Sequence, residues 1–271
     1  MCDLNINAMR QRQSRPSVAR VYSYVLGGRD NYGVDKDLGD YFIEDLPGSE
    51  MLAITNRDAV LRATRLMAES GIRQVIDMGC GLPASVNVHQ VLRQTHPDGR
   101  VIYVDDDPFV VAHGRALLAV DESIAVVEAD IRDPGSIEKH ADVQRLINFD
   151  EPVGILFGIT LSFVNDEEDP ASVVQHWTDR MADASQVYLS HFRTGTTRQA
   201  VATANKILEA FGRGRFRTDA EIVSCFGTLT LDPEGLRPCA QWHVDPTDAD
   251  PDKPDLTIWE ELVVGGLARK Q

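Results

Sequence analysis

The chain has 271 residues, 43% hydrophobic and 25% charged, which suits one large α/β domain or a domain with an appendage. With 42 acidic against 27 basic residues its formal net charge is −15, which argues against a nucleic-acid phosphate backbone as the main partner. No apolar run approaches the ~20 residues of a membrane span, the start lacks a signal-peptide pattern, and Cys2, Cys80, Cys225 and Cys239 form no C-x-x-C pair, so a reduced, cytoplasmic, metal-free protein is expected.

Residues 1–15 are polar and are expected to form a flexible arm. From Pro16, Val18, Val21, Tyr22, Val25 and Leu26 recur at helical spacing, and Gly27-Gly28 can end that helix. Further helices are predicted over 35–46, stopped by Pro47-Gly48, and over 49–69, ended by Gly71. After Gly71 the rhythm changes. Short β-branched runs end at Asp77, Asp105, Asp130, Gly158 and His191, with helical patterns near 84–95, 108–119, 135–147 and 171–183 between them. Five such alternations predict a parallel sheet with helices on both faces. Helices over 197–211 and 218–226 follow, then strands at 229–231 and 258–264 separated by an Asp- and Pro-rich loop at 245–255. The expected fold is a Rossmann-like α/β domain with a seven-stranded, mostly parallel sheet, its last strands antiparallel. The chain thus divides into an arm (1–15), a helical lid or cap (16–70) and a cofactor-binding domain (71–271).

Asp77-Met78-Gly79-Cys80-Gly81 follows the first strand. Glycine there permits a tight turn and close approach of backbone to a ligand, and loop amides favour polar or anionic groups. Asp105 closes the second strand 24 residues after Gly81, near the ~20-residue spacing at which an acid meets a ribose diol. Asp106 adjoins it, and Asp107 is expected to cap the next helix with Pro108 in the first turn. Asp130, ending the third strand, either accepts from an adenine amino group or bonds its own backbone.

With these positions in hand, the sequence resembles the actinobacterial S-adenosylmethionine-dependent methyltransferase family, first known as a domain of unknown function. The resemblance rests on S-V-A-R-V-Y-S-Y-V-L-G-G-R-D-N-Y (17–32), N-R (56–57), G-I-R-Q-V-I-D-M-G-C-G-L-P (71–83), V-I-Y-V-D-D-D-P (101–108), V-V-E-A-D-I-R-D-P (126–134), S-F-V-N-D-E-E-D-P (162–170), Y-L-S-H (188–191) and the final G-G-L-A-R-K. It implies that Asp77, Gly79 and Gly81, with Cys80 between them, frame the methionine half of S-adenosyl-L-methionine. Asp105 then holds the ribose, Asp130-Ile131 the adenine edge, and Gly158, Ile159 and Thr160 flank the transferable methyl. Cys80 and Ser162 depart from the serine and histidine common in relatives, and Ser162 puts in doubt any general base carried over from the family at that place.

Tyr22, Gly28, Asn31 and Arg57 join the cofactor set if the N-terminal block is a lid, whereas the bland alternative is a helical layer capped by Gly27-Gly28. His191, Tyr24 and Tyr32 are the candidate general bases, needed only where the acceptor must lose a proton. The other histidines are expected at the surface, and Asp166-Glu167-Glu168-Asp169 as a solvated acidic loop with no metal. The activity implied is methyl transfer to a small molecule, releasing S-adenosyl-L-homocysteine. A cyclisation on the same cofactor or a non-catalytic cofactor-binding regulator are the alternatives. No membrane partner is expected, and a homodimer stays open.

Overall fold

A computed structural model describes residues 14–195, 197–245 and 255–271. Most of the expected arm and of the 245–255 loop lies outside the described residues. Three helices come first: α1 (Val18–Val25), α2 (Gly33–Asp45) and α3 (Glu50–Glu69). The alternating unit follows as β1 (Gln74–Met78), α4 (Val88–Thr95), β2 (Arg100–Asp105), α5 (Pro108–Leu117), β3 (Ile124–Glu128), α6 (Pro134–Glu138), α7 (Ala141–Leu146), β4 (Gly154–Gly158), α8 (Pro170–Arg180) and β5 (Gln186–Phe192). Last come α9 (Arg198–Phe211), α10 (Asp219–Ser224), the two-residue strands β6 (Thr230–Leu231) and β7 (Arg237–Pro238), α11 (Ile258–Glu261) and β8 (Val263–Arg269). Among the described residues no helix is long and apolar enough to cross a membrane.

The strands form one sheet ordered β3-β2-β1-β4-β5-β8-β6, with β7 also paired to β8. The first five are parallel and β8 runs antiparallel to β5, Gln186 opposite Arg269 and Phe192 opposite Val263. Because the order reverses between β1 and β4, a crevice opens outside their carboxyl ends. Side chains alternate between faces, as a period of two demands. Val75, Val101 and Tyr103 pack in one core with Val60, Met67 and Leu92, while Ile76, Ile102 and Val104 pack in the other with Val143, Val174 and Trp177. Helix α3 buries Ala59, Ala63 and Met67 completely in the first core. It therefore shares the sheet's core, to which Val21 of α1 and Phe42 of α2 also contribute, and the start of α1 lies over the crevice.

Several boundaries depart from the sequence expectation. The helix after Gly81 begins at Val88, where the Asn87 amide donates to Gln90 Oε1 (2.7 Å), so residues 82–87 form a loop. The 135–147 pattern splits in two, with His140 capping α7. Ile258–Glu261 is a helical turn because Thr257 and Glu260 make a capping box, and the strand lies one step later. Its glycines are positions of close approach: a Cβ on Gly265 would sit 2.4 Å from the Tyr188 hydroxyl.

Candidate cofactor cleft and active site

A cleft of about 310 Å³ lies in the crevice at the ends of β1 to β4, roofed by the start of α1. It brings together Asp77, Gly79, Cys80 and Gly81 after β1, Asp105 and Asp106 after β2, Asp130 and Ile131 after β3, and Gly158, Ile159 and Thr160 after β4. Tyr22 of α1 and Arg57 of α3 also line it.

The glycine loop is shaped by packing rather than by ligand-directed amides. Gly79 and Gly81 have φ of 73° and 66°, and a Cβ on Gly79 would lie 2.2 Å from Thr160 Cγ2. The amides of Gly79 and Cys80 donate to the Val104 carbonyl (2.8 and 3.0 Å), and the Gly81 amide donates to Asp105 Oδ2 (3.0 Å). All three donors thus fasten the loop to β2. This corrects the expectation that they face a ligand; Gly79 makes room for Thr160, and the open space beside the loop lies at Gly81, where an added Cβ would meet nothing within 4 Å. Cys80 lines the cleft with its amide committed to Val104, and burial pushes its thiol well above the ordinary range.

The polar faces of the cleft are side chains. Asp105 Oδ1 accepts from the Asp107 amide (3.0 Å), while burial pushes its carboxyl up to about 7. Burial likewise pushes Asp77 up to about 6, against the opposing pull of the Arg57 guanidinium. Asp107 caps α5 through the Phe109 amide (3.0 Å), as expected from Pro108 beside it. Asp130 is held in a fork by Arg132 Nε (2.9 and 3.0 Å), which keeps its carboxyl below the usual range. Two buried polar atoms of the cleft residues, Thr160 Oγ1 and Arg57 Nε, have no hydrogen-bond partner among the described residues.

Behind them a chain of hydrogen bonds fixes the turn after β4. The Tyr22 hydroxyl donates to Ala53 O (2.8 Å) and accepts from Asn56 Nδ2 (3.0 Å). Ser190 Oγ donates to Asn56 Oδ1 (2.5 Å) and accepts from the Ile159 amide (2.9 Å). Ile159 is thereby held at φ 57°, a conformation costing a β-branched residue on the order of 1–3 kcal/mol. Desolvation raises the Tyr22 phenol above its ordinary value, so it stays neutral.

Among the described residues, the other candidates lie away from the cleft. His191 is fully buried; its Nδ1 donates to Phe192 O (2.7 Å) and its Nε2 accepts from Arg217 (2.9 Å). Burial pushes it down to about 4, so it is a neutral latch with both ring nitrogens committed. Tyr24 donates to Asp40 (2.5 Å), and Tyr32 packs on Phe109 with ring centroids 5.1 Å apart. Gly28 and Asn31 close the end of α1, where a Cβ on Gly28 would meet Ser23 Oγ at 2.2 Å and Asn31 Nδ2 donates to Gly28 O (3.3 Å). Ser162 is buried and its Oγ accepts from the Phe192 amide (2.9 Å), which makes it a packing position.

The sequence pointed to neither Arg132 nor Arg213, both of which line the cleft. They pair with the acidic segment expected to be solvated: Arg213 Nη2 binds Glu168 Oε2 (2.7 Å), Arg132 binds Glu168, and Arg217 Nη2 binds Asp166 Oδ1 (2.8 Å). The signal was the count of arginines near residues 213–217, which has no meaning until the chain folds that segment beside 166–168. His89 and His96, expected at the surface, are buried against the Tyr103 hydroxyl (2.8 Å) and the Ala68 carbonyl (2.8 Å).

A family model described as S-adenosyl methyltransferase matches residues 6–271. The solved structure of a candidate methyltransferase from Thermobifida fusca is 39% identical, with a TM-score of 0.89, covering 95% of this chain and 96% of that one. A DUF574 family protein from Streptomyces avermitilis is 32% identical, with a TM-score of 0.88, covering 96% of this chain and 99% of that one. An O-methyltransferase family protein from Burkholderia thailandensis shares the fold alone, at 12% identity and a TM-score of 0.54 over 88% of this chain and 62% of that one. None of the curated proteins compared matches the chain. With a match spanning nearly its whole length, the chain belongs to the S-adenosyl methyltransferase family.

Proposed function

We propose that the protein binds S-adenosyl-L-methionine in the cleft and catalyses transfer of its methyl group to a small molecule. The observation that carries this is the convergence of Asp77, Asp105 and Asp130 from the ends of three neighbouring strands onto one cavity. The residues present fit the cofactor. A buried carboxylate that already accepts two amides has acceptor capacity left for a ribose diol, which is the role of Asp105. Asp77 lies where it compensates a cationic methionine end, and Asp130 with Ile131 borders the adenine. The unpartnered Thr160 Oγ1 and Arg57 Nε supply buried polar atoms that a polar ligand satisfies. At Gly81 an added Cβ would meet nothing within 4 Å, which is open space that a ligand can occupy.

When bound, the cofactor supplies an electrophilic methyl on a sulfonium. The chain's part is to position and to exclude water. No histidine or lysine lines the cleft among the described residues, and the Tyr22 phenol is held neutral. Alignment and a preorganised pocket, covered by the start of α1, therefore carry the rate. The scattered, unpaired cysteines among the described residues support a reducing compartment such as the cytoplasm.

Product analysis after incubation with S-adenosylmethionine and a metabolite extract tests the reading. S-adenosylhomocysteine and a mass gain of one methyl on an extract component are expected. Methylthioadenosine instead would point to cyclisation and sink the methyltransferase reading.

A further inference from the structure

We infer that the methyl acceptor is an uncharged, largely apolar small molecule whose apolar end seats in a phenylalanine-lined chamber behind the cleft; this rests on the methyltransferase reading above. The chamber, about 60 Å³, lies where α1, α2, α3 and α9 meet the turn after β4. Its walls include Val25, Phe42, Leu52, Phe163, Phe192 and Phe211. Val18, Tyr22, Ile159 and Phe163 line both this chamber and the cleft, so the two spaces adjoin at Ile159. Whatever enters the chamber is therefore next to the residues assigned to the methyl end.

The chamber's chemistry differs sharply from that of the cleft. Among the described residues no charged side chain lines it. Its two polar side chains are already satisfied: Ser49 Oγ donates to Phe42 O (2.9 Å), and the Tyr22 hydroxyl donates to Ala53 O while accepting from Asn56. A charged or strongly polar group placed there would lose its hydration and gain no partner. An apolar group loses nothing and gains dispersion contacts.

The phenylalanines set shape. Phe42 lies 6.0 Å from Phe211, Phe211 lies 5.6 Å from Phe163, and Phe163 lies 5.8 Å from Phe192, the last two pairs near-perpendicular. Such an arc presents ring edges and faces together, which suits the edge of a planar ring or a compact aliphatic end. An engineered apolar cavity of ~150 Å³ holds benzene. The chamber at about 60 Å³ thus takes only the tip of an acceptor, and the remainder, with its nucleophilic atom, extends past Ile159 into the cleft.

The test uses fluorine NMR on the full chain with S-adenosylhomocysteine present, and calorimetry of S-adenosylhomocysteine itself as a separate readout. The probes are 4-fluorophenol, 4-fluorobenzoate and 4-fluorobenzylammonium at neutral pH. The neutral probe is expected to bind at least about tenfold more tightly than either ion. Val25→Phe and Phe211→Trp, which narrow the chamber from two different helices, are expected to weaken the neutral probe by about tenfold. Both variants should keep the wild-type affinity for S-adenosylhomocysteine, which also reports that they fold. Equal binding of the ions, or a neutral probe indifferent to both variants while S-adenosylhomocysteine still binds, overturns the acceptor inference and leaves the cofactor reading standing. No S-adenosylhomocysteine binding to the wild type takes down both.

Discussion

Asp105 is pulled in opposite directions. Burial favours its neutral form and pushes its carboxyl up to about 7, while two backbone amides favour the ion. A raised carboxylate means that the folded protein binds more protons than the unfolded chain between about pH 4 and 7. Asp105 and Asp77 therefore make the ligand-free protein lose stability as pH rises through that window, on the order of 4 kcal/mol for Asp105. Ligand binding runs the other way, since the ribose diol needs the ionised acceptor. Calorimetry across about pH 5 to 8 is expected to show S-adenosylhomocysteine affinity rising with pH and levelling off above about 7, and Asp105→Asn is expected to flatten that rise. Asp105 and Asp130 were legible in the sequence because strand ends and spacing place them. The use of the loop amides was not, because nothing in residues 79–81 says that the Val104 carbonyl lies under them. Nor could the sequence show that His191 faces Arg217 instead of the cleft, since strand-end position fixes where a residue stands but not what the next 26 residues bring against it.

At the level of elements, α1 and α2 are joined through one buried arginine. Arg20, 2% exposed, donates to Asp35 Oδ2 (2.7 Å) and to Asp107 Oδ2 (2.6 Å), and Asp35 also accepts from the amides of Ser17 and Tyr32 (3.0 and 2.8 Å). Tyr32 and Phe109 flank the guanidinium at 5.1 and 5.8 Å. The cap is thus tied to Asp107, two residues from Asp105. Removing Asp35 takes one carboxylate from the buried guanidinium, which keeps Asp107, and takes the acceptor from the Ser17 and Tyr32 amides, at about 3 kcal/mol. Asp35→Ala is expected to lower stability by about that amount in denaturant titration, and a loss under about 1 kcal/mol would remove the clasp from the account. Helices were legible where apolar periodicity ran unbroken, as in α3. Their starts shifted where a capping pair competed, as at Asn87 with Gln90 and at Thr257 with Glu260. The last strand was misplaced because Gly265 and Gly266 lower strand propensity, whereas in the fold they make room for Tyr188 and Leu231.

Over the whole molecule, the fold follows from five strand–helix alternations, and the cleft follows from the sheet order. Once β1 lies between β2 and β4, the residues after β1, β2, β3 and β4 meet at one edge whatever the loops between them contain. That is why the cleft proposed for the cofactor was readable and the chamber proposed for the acceptor was not: the chamber is walled by α1, α2, α3 and α9, whose mutual placement no local pattern encodes. The central claim is that this edge holds S-adenosylmethionine through Asp105, and calorimetric titration of S-adenosylhomocysteine into the wild type and Asp105→Ala tests it most directly. The account predicts one-to-one binding to the wild type, weakened roughly ten- to hundredfold in the variant as hydrogen bonds to a charged acceptor are lost. Undiminished affinity in a folded Asp105→Ala protein would contradict it.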